Sequence, residues 1–152
     1  VVLDSPWETS YNTLIPNPER YGDFQSLVDD LHAQDIRLVL WTTQMINLTS
    51  FDAEVGGDAY RGPASNYLEG KACGFYVNDA RLYPWWKGRG AALDFFNPVA
   101  AEWWRRQQDD LLAMGVDGWK LDFGESYIRD APNSYDDTID LSLIHVCRCR
   151  RP

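Results

Sequence analysis

Two short apolar runs and one mixed strand-like segment interrupt a largely polar chain, and each stops at a residue able to do chemistry. Val1-Val2-Leu3 runs into Asp4, Ile36 to Trp41 ends on an indole, and Asp117 to Asp122 ends on a second carboxylate. Compact apolar runs bounded by loop residues read as buried strands. After the first, Ser5 to Gly22 is expected to be loop. Asp23 then offers a helix N-cap, and Phe24, Leu27, Val28 and Leu31 recur at the i, i+3, i+4, i+7 spacing of one helix face. Ahead of the third run, Asn97-Pro98 pairs a cap with a first-turn proline. The helix it opens should run to Met114, with Gly115 as its stop. Leu93 to Phe96 predicts one more short strand. Thr42 to about Arg89 reads as a long irregular insertion, broken at Gly56-Gly57, Gly62-Pro63 and Tyr83-Pro84. Insertions of that length are usually functional.

The order strand, helix, strand, insertion, helix, strand implies parallel strands joined by helical crossovers, an α/β chain. About three such strands cannot close on themselves. They form either a small open sheet or part of a (β/α)8 TIM barrel. In a barrel the site lies at the C-terminal strand ends, where Asp4, Trp41 and Asp122 fall.

Composition narrows the partners. The last twelve residues, 141–152, read LSLIHVCRCRRP and resemble a translated sequencing adapter. They are set aside as a non-native tail, which leaves residues 1–140 as the folded unit. Without the tail's three arginines, 11 basic residues face 23 acidic ones, and the formal net charge moves from -9 to -12. An acidic chain is a poor partner for nucleic acid or an anionic membrane, and no apolar run is long enough to span a bilayer. Cys73 is then alone, leaving no disulfide and no zinc site, and no metal or other cofactor is expected. The first run reads as a strand already under way, so the natural N-terminus is expected upstream. Seven tryptophans in an aromatic fraction of 14% suit either an aromatic core or sugar-stacking platforms.

Strand alternation sharpens the third run. Lys120 and Asp122 are two apart and share a face, while Trp119 and Leu121 point the other way, toward a helix layer. A lysine beside an aspartate favours the ionised carboxylate, the form a nucleophile needs. The same pair could equally be a self-satisfying ion pair.

Residues 115–125, Gly-Val-Asp-Gly-Trp-Lys-Leu-Asp-Phe-Gly-Glu, closely resemble the nucleophile strand of glycoside hydrolase family 31, the α-glucosidases, α-xylosidases and their relatives. Asp4-Ser5-Pro6-Trp7 resembles that family's substrate-binding strand end. Asn17-Pro18-Glu19-Arg20-Tyr21 and residues 31–37 resemble the approach to its next strand, and Leu93 to Pro98 with Trp103-Trp104 resembles a further helix start. The resemblance implies a fragment of a retaining α-glycoside hydrolase barrel that cleaves α-linked glycosides through a covalent glycosyl-enzyme. It implies Asp122 as the nucleophile. Asp4 and Lys120 would bind sugar hydroxyls, Trp41 and Trp86 would wall the pocket, and Trp7 would bind substrate from the first strand end. Glu125 would have a supporting role. The acid/base carboxyl that such chemistry requires is expected beyond this chain, leaving the chain alone inactive. His32, Asp94 and Asp117 are expected to be structural. An α-galactosidase-like enzyme and a non-catalytic carbohydrate-binding barrel are the alternatives.

Overall fold

The computed structural model describes residues 1–50, 62–85 and 87–122. Its elements in chain order are β1 (Val2–Leu3), α1 (Pro18–Tyr21), α2 (Phe24–His32), β2 (Val39–Thr42), β3 (Met45–Ser50), α3 (Tyr67–Ala72), α4 (Val77–Ala80), β4 (Tyr83–Trp85), β5 (Gly88–Ala92), α5 (Pro98–Arg106), α6 (Asp109–Ala113) and β6 (Gly118–Leu121).

Two three-stranded sheets result. The first is parallel, in the order β1-β2-β6, so each connection must cross over. Capping starts the crossover helices. Asp23 accepts from the Ser26 amide, and Asn97 accepts from the amides of Val99 and Ala100, satisfying donors that a helix start leaves open. Gly115, at φ 100°, ends the second crossover, a conformation that glycine takes without penalty. Val28, Leu38, Leu40 and Leu111 are buried together in one core.

The second sheet is antiparallel, in the order β3-β5-β4. It corrects the expectation of an irregular insertion between Thr42 and Arg89. Its central strand, Gly88-Arg89-Gly90-Ala91-Ala92, has low strand propensity. Close packing selects it instead. A Cβ on Gly88 would stand 2.1 Å from the Thr49 carbonyl oxygen, and one on Gly90 would stand 2.8 Å from both the Ile46 carbonyl oxygen and Asn47 Oδ1. The strand expected at Leu93–Phe96 is therefore shifted upstream. Leu93 keeps only a bridge to Tyr76, and Asp94 turns the chain by accepting from the Phe96 amide.

Smaller differences have local causes. The helix expected from Asn97 to Met114 is broken at Gln107-Gln108 into α5 and α6. Inside the loop 5–22, Asn17 caps a four-residue helix opened by Pro18. Leu121 was expected to pack on the helix layer with Trp119. It is 80% exposed, because it lies at the end of an edge strand. Cys73 is disulfide-bonded. This corrects the expectation that the chain holds no disulfide.

Candidate active site

Parallel register brings the three strand ends together. Leu3 pairs with Leu40, and Trp41 pairs with Lys120. Asp4 follows β1 and Asp122 follows β6, so both acids lie at the C-terminal ends of their strands, flanking Trp41 on the central one. The Asp122 amide extends the ladder by donating to the Thr42 carbonyl at 3.0 Å.

Lys120 links the two acids. Its Nζ lies 2.7 Å from Asp4 Oδ2 and 3.8 Å from Asp122 Oδ2. The closer partner is therefore Asp4, not the residue two positions along the strand. The hydrogen bond to Asp4 is the main cause holding the Lys120 pKa above the ordinary lysine value, helped by the charges of Asp4 and Asp122. The side chains of Lys120, Asp4 and Asp122 are 43%, 57% and 30% exposed, so a solute can reach all three.

Trp41 supplies the second recorded contact to the same carboxylate oxygen, its Nε1 donating to Asp122 Oδ2 at 3.0 Å. The indole itself is buried. It lies nearly parallel to Trp85, with 6.4 Å between ring centroids and 6° between planes. Tyr11 meets both indoles edge-on, and the Lys87 ammonium sits 5.5 Å from the Tyr11 ring centroid. Trp7 is buried too, and its Nε1 donates to the Trp41 carbonyl at 2.7 Å. Trp7 and Trp41 thus meet the site from below, Trp41 through its N–H and Trp7 through the Trp41 backbone. Trp86 and Glu125 lie outside the described residues.

Sequence reasoning missed several residues around this cluster. Asn12 is fully buried, and its Oδ1 accepts from Thr42 Oγ1 and the Thr43 amide. Asn47 Oδ1 accepts from Trp85 Nε1 at 2.7 Å. Glu8, buried in the loop after β1, accepts from the Leu14 amide at 2.8 Å. Burial pushes its carboxyl up to about 8, against the backbone N–H groups of Leu14, Thr13 and Asn12 that oppose the rise. Asparagines and loop acids carry no periodic signal, so only the folded contacts reveal them.

His32, Asp94 and Asp117, expected to be structural, make local contacts. His32 Nε2 lies 3.0 Å from Asp117 Oδ2, which also accepts from the Leu38 amide at 2.7 Å. This contact lies at the opposite end of the parallel strands from Asp122. Among the described residues, no group of three or more potential ligands could hold a metal ion, and no helix is long and apolar enough to cross a membrane.

Comparison with known proteins gives this cluster a setting. The family model of the glycosyl hydrolases family 31 TIM-barrel domain matches residues 1–145. The chain belongs to glycoside hydrolase family 31. The match reaches five residues into the stretch 141–152. Among curated relatives, α-xylosidase XylQ of Lactiplantibacillus pentosus is 27% identical over 129 residues, covering 81% of this chain and 15% of that protein. An α-glucosidase of Saccharolobus solfataricus is 28% identical over 125 residues, covering 82% of this chain and 17% of that protein. The family 31 chain therefore spans about a sixth of the length of these relatives. Among solved structures, the Flavobacterium johnsoniae family 31 dextranase complexed with glucose superposes with a TM-score of 0.66. It is 22% identical and covers 81% of this chain and 14% of that one, a likeness of fold.

Proposed function

We propose that this chain is the part of a retaining α-glycoside hydrolase barrel that carries the nucleophile, Asp122. In this reading β1, β2 and β6 are three neighbouring strands of the barrel and the β3-β5-β4 sheet is an insertion at its mouth. The observation that carries the proposal is the convergence of Trp41 Nε1 and Lys120 Nζ on Asp122 Oδ2 at the C-terminal strand ends. The hydrogen bond from Trp41 fixes the orientation of the carboxylate, and a carboxylate is the group that attacks an anomeric carbon.

The reaction runs in two displacements. Asp122 attacks C1 of the α-linked sugar. The bond from C1 to the glycosidic oxygen breaks, and that oxygen takes a proton from a second carboxyl group. Water then attacks C1 of the glycosyl-enzyme, gives its proton to the second carboxylate, and releases Asp122 with a second inversion. The second carboxyl must stand about 5–5.5 Å from the first. We place it in a segment beyond residue 140, so the isolated 152-residue chain is expected to turn nothing over. Asp4 and Lys120 receive hydroxyls of the reacting ring. Trp41 orients Asp122, Trp7 supports Trp41, and Trp86 is assigned to the pocket wall. The ligand is an α-linked oligosaccharide or glycoside, and the reaction draws on no metal or other cofactor.

The test is Asp122→Ala in the complete protein, assayed on an aryl α-glycoside with sodium azide. Loss of hydrolysis, with azide restoring turnover and giving the β-glycosyl azide, is expected. Undiminished hydrolysis by Asp122→Ala would refute the assignment.

A further inference from the structure

We propose that Asn12 is a positioning residue for Asp122, acting through the end of β2. The inference rests on the reading of Asp122 as nucleophile and adds to it a residue from a different strand connection. Asn12 is 0% exposed and holds φ 61°, a left-handed conformation that asparagine tolerates better than most residues. Burying a primary amide is costly unless its groups are bonded, and both ends of this one are. Nδ2 donates to the Met45 carbonyl. Oδ1 accepts from Thr42 Oγ1 at 3.0 Å and from the Thr43 amide at 3.1 Å. The Asn12 carbonyl accepts from Asn66 Nδ2 at 2.8 Å, which fixes the asparagine from behind.

The partners of this amide are what make it more than a loop clamp. Residues 42, 43 and 45 are the segment in which the chain leaves the parallel sheet for the antiparallel one. Two groups that hold Asp122 lie at the head of that segment. The Thr42 carbonyl accepts the Asp122 amide, and the Trp41 indole donates to the Asp122 carboxylate. One residue thus sets the path of the chain directly after both. Loss of the Asn12 amide frees residues 42 and 43 to move. Asp122 then shifts against its indole donor at the backbone and at the side chain together.

The experiment uses the complete protein. Asn12→Gly keeps the left-handed backbone and removes the amide. Thr42→Val removes only the hydroxyl that Asn12 receives, at nearly unchanged volume, and decides the matter where Asn12→Gly does not fold. Misplacing a reacting group by a fraction of an ångström to 1 Å costs on the order of ten- to a hundred-fold in rate. Each folded variant is therefore expected to lose kcat by that order with KM nearly unchanged. Thr42→Ser, which keeps the hydroxyl, should stay within about two-fold of the parent by the same geometric argument. A purely structural asparagine would lower the melting temperature and leave kcat of the folded variants unchanged. That result, or a rise in KM with kcat retained, overturns the proposal. Azide rescue of Asp122→Ala separates the two readings. With rescue intact and kcat of the folded Asn12 and Thr42 variants unchanged, the positioning inference fails alone. With Asp122→Ala fully active, the nucleophile reading fails first.

Discussion

The Trp41 indole donates to Asp122 Oδ2 across 3.0 Å, while the carbonyl of the same tryptophan accepts from Trp7 at 2.7 Å. One buried residue therefore ties a strand-end carboxylate to the loop that follows the first strand. Trp41→Phe keeps an aromatic ring beside Tyr11 and Trp85 while removing the indole N–H and part of the buried ring. A hydrogen bond to a charged group is worth about 1.5–3 kcal/mol, so about a ten-fold or greater fall in kcat is expected in the complete protein. Steady-state kinetics with an aryl α-glycoside checks this, and an unchanged kcat would show that Trp41 only packs.

The short contact of Lys120 is to Asp4, at 2.7 Å. Because the folded-state pKa of the lysine is raised, its ionic contacts are complete below the ordinary lysine value and are lost as pH rises through the folded one. Asp4→Asn removes the largest cause of the rise. The Lys120 titration, followed by NMR of its side-chain carbon next to the ammonium, should move down toward the ordinary value. A titration left where it was would mean that Asp122, and not Asp4, sets the charge of this lysine.

Glu8 predicts a pH dependence of the opposite sign to most acids. Its carboxyl is raised from 4.5 to about 8, so the folded chain keeps a proton that the unfolded chain has released. Stability therefore falls as pH rises between those two values. Thermal unfolding across that range should show a declining melting temperature, and Glu8→Gln should flatten the decline. A Glu8→Gln protein with the parent's pH dependence would place the titrating group elsewhere.

Two glycines should respond to alanine to different extents. Gly88 holds φ 143°, and a Cβ there would stand 2.1 Å from the Thr49 carbonyl oxygen. Gly118 has only Val39 Cγ2 at 3.9 Å. Gly88→Ala should cost at least about 2 kcal/mol, from backbone strain and overpacking. Gly118→Ala should cost less than about 1 kcal/mol, as at most sites without a steric conflict. Chemical unfolding of both variants measures the difference, and equal losses would contradict the close approach of β3 and β5.

The parallel sheet was legible because its central strand β2 is a compact, buried apolar run, and because caps such as Asp23 and Asn97 announce helix starts. The inward pairing of Lys120 and Asp122 followed from alternation alone, yet the lysine's preference for Asp4 depends on a strand more than a hundred residues away. The antiparallel sheet was not legible. Its central strand is built of glycine and alanine, whose selection comes from the approach of Ile46, Asn47 and Thr49. Asn12 and Asn47 were invisible for a related reason. A buried amide gains meaning only from the backbone groups that folding places around it. The aromatic fraction admitted core or sugar platform, and Trp7 and Trp41 are both buried.

The most direct measurement is the mass of the active-site peptide after the complete protein reacts with a mechanism-based fluorinated α-glycosyl donor. A covalent glycosyl adduct on Asp122 is the expected result. An adduct on another carboxylate, or stoichiometric sugar binding with no adduct at all, would contradict the assignment of the nucleophile to the end of β6.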